Sequence, residues 1–232
     1  MDIVVSSSRL RPLLFAAMAF VVIAGVAVEV MKALWGLSGG EGLVPLLSMS
    51  YEGNLPTVYT AGVVFSCALL LAVIAAGTKK RAARFVAHWW VLAAGFAYIA
   101  IDEIIGIHEA AHDLVDLDVG GVLHFRWVIP AAVVVLAVGL SYIPFLRGLE
   151  PRTRNRFLLA GAIYVGGAVG MELPLGWWTD RHGIHNLGYG LIDAAEEAME
   201  MLGLNLFLLA LVDHLAGEGF SLRFARGNEA SS

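Results

Sequence analysis

Apolar residues in this chain gather into six long runs, each approaching the ~20 residues a helix needs to cross a bilayer. The runs lie near 12–31, 57–77, 86–107, 127–146, 157–175 and 189–212, joined by short polar links. This pattern predicts an all-α polytopic membrane bundle of six transmembrane helices, with residues 1–232 forming a single transmembrane domain. The runs are not equivalent. The second (TVYTAGVVFSCALLLAVIAAG) and the fourth (WVIPAAVVVLAVGLSYIPFL) carry no charge, so both are expected to face lipid all round. The first, third, fifth and sixth carry acids toward one end, so these four are expected to surround a polar centre. In the fifth, Ala162, Gly166 and Gly170 recur every four residues, a stripe of small residues that lets membrane helices approach closely.

Charge gives the bundle a direction. Of fifteen Lys and Arg, twelve gather at one set of helix ends: Arg9, Arg11, Lys79, Lys80, Arg81, Arg84, Arg147, Arg152, Arg154, Arg156, Arg223 and Arg226. The positive-inside rule makes those ends cytoplasmic, and an even number of spans puts both termini there too. The opposite ends hold Lys32, Arg126 and Arg181 together with most of the acids and histidines. The chain is therefore expected in a bacterial cytoplasmic (inner) membrane as a multi-pass protein. Its partner is the lipid bilayer, with self-association into a homo-oligomer left open.

Composition agrees, with 59% hydrophobic and 15% charged residues, against roughly 25% charged in a soluble domain. Mean hydropathy is +0.76. The net charge of −5 is divided across the membrane and gives no support for nucleic-acid binding. The single Cys67 excludes an intrachain disulfide. The first run extends from Pro12 to Val28, beyond the usual signal-peptide core, so it is expected to remain an uncleaved anchor.

Ionisable residues inside membrane helices are costly, and each is a functional-site hypothesis. At a rise of ~1.5 Å per residue, Glu29, Asp102, Glu103 and Glu172 fall about 22–25 Å above the cytoplasmic starts of their spans. The sixth span descends, so Glu196 and Glu197 lie roughly 10 Å below the outer surface and Glu200 about 16 Å below it. Carboxylates from four helices thus share one layer. The third span carries the densest motif, IDEIIGIHEAAHD. At ~100° per residue, Asp102, Glu109, His112 and Asp113 share one face with His108 at its edge, while Glu103 points toward a different neighbour. His108-x-x-x-His112 and Glu109-x-x-His112 both suit metal ligation, and Glu-x-x-His is the element that di-iron carboxylate bundles use. The sixth span answers with Asp193, Glu196, Glu197 and Glu200 on one stripe. These acids repel one another unless cations or protons neutralise them. The bland alternative for His108 and His112 is a solvated loop. For His182 and His185, in the WWTDRHGIHN link, it is an outer lid or interfacial loop.

DEIIGIHE on an outer helix end, combined with AEEAMEMLG opening the last span, resembles a group of uncharacterised bacterial six-span integral membrane proteins. The resemblance runs from about Ala83 to Leu215 and implies the six-span fold and these two motifs, with no activity attached. The second Glu-x-x-His of a di-iron bundle is missing. Glu197-x-x-Glu200 stands in its place.

Three functions fit these residues. The leading one is a carboxylate/histidine metal site near the outer face, in a protein that is or is not a metal-dependent membrane enzyme. Its expected ligands are His108, Glu109, His112, Glu172, Glu196, Glu197 and Glu200, with Glu29, Asp102, Glu103, His185 and Asp193 as secondary candidates. Such donors favour a divalent Fe, Mn or Zn over Cu(I). The alternative is a cation or proton transporter or channel with an acidic outer vestibule. Against it stand the absence of an inverted repeat and of any continuing inner polar chain apart from Asn205. The third is haem held by His88 and His214 at cytoplasmic helix ends, which is disfavoured because interfacial histidines explain both. No nucleophile elbow, phosphate-binding glycine loop or Schiff-base lysine inside a span is present.

Overall fold

The computed structural model describes residues 6–107 and 120–217. Among them every regular element is helical: α1 (Ser7–Trp35), α2 (Val44–Leu47), α3 (Leu55–Lys80), α4 (Val86–Ile105), α5 (Val128–Ser141), α6 (Ile143–Gly148), α7 (Pro151–Val165), α8 (Glu172–His182) and α9 (Leu187–Gly217). A single 3-10 turn, Gly121–Leu123, precedes α5, and a π-helical segment, Gly166–Met171, joins α7 to α8. Taken with the runs Val128–Gly148 and Pro151–His182, six helices are long and apolar enough to cross a membrane. The chain is a multi-pass membrane protein by this measure. The fifth and sixth helices run well past the apolar stretches, since Trp177, Trp178 and His182 are still helical and α9 already begins at Leu187.

Local chemistry sets the ends. Asn54 opens α3 by accepting the Thr57 N–H at 3.2 Å, with Pro56 in the first turn where its missing N–H costs nothing. Lys79 and Lys80 close the same helix, where cations complement its dipole. Helix α4 stops at Gly106, whose φ of 61° is left-handed and whose N–H bonds Asp102 O at 2.7 Å.

The core is built on α9 and α3. Val64, Cys67, Leu71 and Ile74 of α3 meet Leu204, Leu208 and Leu211 of α9, with Trp89, Phe145 and Phe157 closing the side of the basic helix ends. The uncharged second span therefore does not face lipid all round; it lies at the centre. Absence of charge permits lipid exposure without demanding it, and small residues such as Ala61, Ala68 and Ala75 let α4 and α9 come close. The fourth span keeps to the outside. Only Val128 of α5 is buried, while Val133, Val134 and Leu136 are exposed. In the middle of the bundle, Asn205 is fully buried, and its Nδ2 donates to Tyr59 Oη at 2.8 Å. Tyr59 in turn donates to Leu14 O at 3.1 Å, which ties the first, second and sixth spans together.

Close backbone contact between the fifth and sixth spans falls elsewhere than on the predicted stripe. A Cβ on Gly203 would meet Tyr164 N at 2.7 Å and Ala160 O at 2.9 Å, and one on Gly167 would meet Glu196 O at 3.0 Å. Ala162, Gly166 and Gly170 instead line a groove of about 720 Å³ facing α5. The four-residue spacing assumes a regular α-helix, and the π segment rotates the face presented to α9.

Candidate functional site

The acids of the sixth span are reached from three sides. On the first side, Glu29 of α1 is buried and accepts Lys32 Nζ at 2.9 and 3.1 Å, and also the hydroxyl of fully buried Ser48. Ser48 and Ser50 belong to the link between α1 and α3, which folds back into the bundle: Val44 and Met49 are buried, and Met49 packs with Val21, Ala194 and Met201. Ser50 donates to Asp193 of α9. Gly190 lies directly opposite, where an added Cβ would come within 2.5 Å of Glu29 Oε2 and force that side chain to shift. Glu29, Lys32, Ser48, Ser50 and Asp193 thus form a hydrogen-bonded polar group between the first and sixth spans.

On the second side stands Glu172, placed by the π segment. One extra residue per turn turns the following helix relative to the one before, and such segments recur at functional sites. Glu172 is buried, and Trp127 Nε1 donates to its Oε1 at 2.9 Å across to the start of α5. On the third side, α4 turns Ile101, Ile104 and Ile105 outward and Asp102 and Glu103 inward. Glu103 acts electrostatically on both Glu197 and Glu200, and Tyr164 of α7 feels Glu200, Glu103, Glu197 and Asp102.

The middle of this arrangement is acidic throughout. Glu196 is 8% exposed, and its Oε2 has no hydrogen-bond donor among the described residues. The charged neighbours acting on it are Glu172, Asp193 and Glu197. Those acting on Glu200 are Glu196, Glu103, Glu172 and Asp193. Even so, among the described residues no group of three or more His, Cys, Asp or Glu side chains is gathered tightly enough to hold a metal ion. Glu172, Glu196, Glu197 and Glu200 alone therefore do not form the expected ligand shell, because Glu172 is turned to Trp127, and Glu29 and Asp193 are held by Lys32, Ser48 and Ser50. His108, Glu109 and His112 lie outside the described residues. His185 is exposed in the turn at 183–186, and His182 stacks on Trp178 with ring centroids 4.3 Å apart.

Both histidines considered for haem stack on aromatic rings. His88 stacks on Phe145 at 5.6 Å and His214 on Trp89 at 5.2 Å. Sequence reasoning missed Ser48, Ser50 and Trp127. A serine link and an interfacial tryptophan carry no signal until the fold brings them to a carboxylate.

No curated protein and no solved structure matches the chain. Residues 6–215, nearly all of the helical bundle just described, match the family described as Domain of unknown function (DUF8692), and the chain belongs to that family.

Proposed function

We propose that this is a membrane protein that binds a divalent cation among the carboxylates of its third, fifth and sixth spans. The reading rests chiefly on Glu196, a buried carboxylate with an oxygen that no described residue satisfies, set among further carboxylates. Burying a charge costs several kcal/mol unless it is paired. A bound cation removes that cost for Glu196, Glu197 and Glu200 together. Glu196 and Glu200 supply oxygen donors, while Glu172, turned to Trp127, and Glu103 of α4 add charge. His108, Glu109 and His112 follow α4 directly in sequence and add imidazoles, which directs the site toward Fe, Mn or Zn. An enzyme results if one coordination position stays open to water or substrate. The basic helix ends orient the bundle with both termini in the cytoplasm of a bacterial cell and the acidic layer toward the outer face.

A second reading is favoured by one observation. No described group has three ligands at metal distance, so the same acids would serve as a vestibule for protons or passing cations. Elemental analysis of purified protein, paired with Glu196→Gln, separates the two. Stoichiometric Fe, Mn or Zn that is lost in the variant supports the metal site. Metal-free protein that gains no thermal stability from added metal supports the vestibule.

A further inference from the structure

A second polar groove lies at the opposite, basic end of the bundle. Between the first, fifth and sixth spans runs a groove of about 350 Å³ lined by Arg11, Phe15, Arg156, Leu159, Leu206, Leu209, Ala210 and Asp213. Its chemistry is graded along the helix axis. Arg11, Arg156 and Asp213 occupy the end nearest the helix termini, while Leu206 lies seven residues, about 10 Å, deeper along α9. Phe15, Leu159, Leu206 and Leu209 make the deep part entirely apolar.

The charges at the head are unbalanced. Asp213 is engaged by Arg156 and by the Ser7 hydroxyl, with Arg152 acting on it as well. Arg11 has no ion-pair partner among the described residues, and it projects into the same groove. Among the described residues that line the groove, one carboxylate thus faces two guanidinium groups, Arg11 and Arg156, which leaves its mouth positive. An apolar slot topped by uncompensated arginines at the membrane surface is complementary to one class of molecule. Basic pockets between membrane helices take anionic lipid headgroups, with the acyl chain following the apolar wall.

We propose that this groove is a binding site for an anionic glycerophospholipid, its phosphate held by Arg11 and Arg156 and one acyl chain laid along Leu159, Leu206 and Leu209. Arg11 supplies the uncommitted fork for the phosphate. Arg156 contributes the donors that its pair with Asp213 leaves over, and that pair fixes its position. The site is independent of the carboxylate layer and does not rest on any function given to it.

The test uses full-length protein in nanodiscs of phosphatidylcholine with a rising fraction of phosphatidylglycerol. Retained lipid is counted by native mass spectrometry, and the unfolding temperature is read alongside. Phosphatidylglycerol is expected to be retained in preference to phosphatidylcholine and to raise the unfolding temperature. Arg11→Gln is expected to raise the half-saturating fraction about fivefold, and Arg11→Lys to keep most of the binding. Helix content by circular dichroism confirms that the variants are folded. Equal retention of both lipids, or unchanged binding in Arg11→Gln, overturns the proposal. Inorganic phosphate alone giving the same stabilisation also overturns it, by making the ligand a free anion rather than a lipid.

Discussion

Glu196 carries the most information per atom in this molecule. Its companions Glu29, Glu172 and Asp193 each accept a hydrogen bond from a neighbouring span or link, from Ser48, Trp127 and Ser50 respectively, while one oxygen of Glu196 is left over among the described residues. If that oxygen awaits a cation, Glu196→Gln has opposite effects in the two states. It is expected to raise the unfolding temperature in chelator, where carboxylate repulsion is relieved, and to abolish the stabilisation that added metal gives. Thermal unfolding with and without metal reads both. Trp127 offers a contrasting case. Trp127→Phe keeps the ring and removes the donor to Glu172, which is expected to cost about 1–3 kcal/mol of stability. A change below a few tenths in a chemical-unfolding series would show that the bond contributes nothing. Carboxylates and imidazoles must be deprotonated to ligate, so metal retention is expected to fall as pH drops toward 5.

At the scale of elements, the acids were legible in the sequence and their geometry was not. An ionisable residue inside an apolar run stands out, so Glu172, Glu196 and Glu200 could be singled out without coordinates. The central place of α3 could not, because an uncharged run of Ala, Val and Leu suits lipid and core equally. Nor could the π segment, since GGAVGM reads as ordinary helix. Yet that segment decides which face of the fifth span meets α9, putting Gly167 rather than Gly170 at the contact. Inserting one alanine between Met171 and Glu172, beyond the π segment, would rotate Glu172 by about 100°. The expected result is an inserted, helical protein that has lost its response to metal; an unaltered metal response would separate the placement of Glu172 from the site. Packing gives an independent check. Gly203→Ala forces a Cβ against the backbone of Tyr164 and Ala160 and is expected to destabilise by about 1–3 kcal/mol. Gly62→Ala, with open space around it, is the control and should be neutral or slightly stabilising.

For the whole molecule, the sequence's segregation of charge and the structure's segregation of chemistry coincide. One end of the bundle gathers carboxylates from several helices; the other gathers guanidinium groups around a groove with an apolar wall. Buried Cys67 is unsuited to labelling, so cysteines placed at Ser38 and Ala82 report the orientation cleanly. Position 38 is expected to react with a membrane-impermeant maleimide in intact cells and position 82 only after lysis; the reverse pattern would invert the proposed topology. The central claim is that the acidic end binds a divalent cation, and the most direct measurement is the metal content of purified protein beside that of Glu196→Gln and Glu200→Gln. About one Fe, Mn or Zn per chain, lost in both variants while helix content is unchanged, is the predicted result. Metal-free wild-type protein that takes up none of these ions on titration would contradict it.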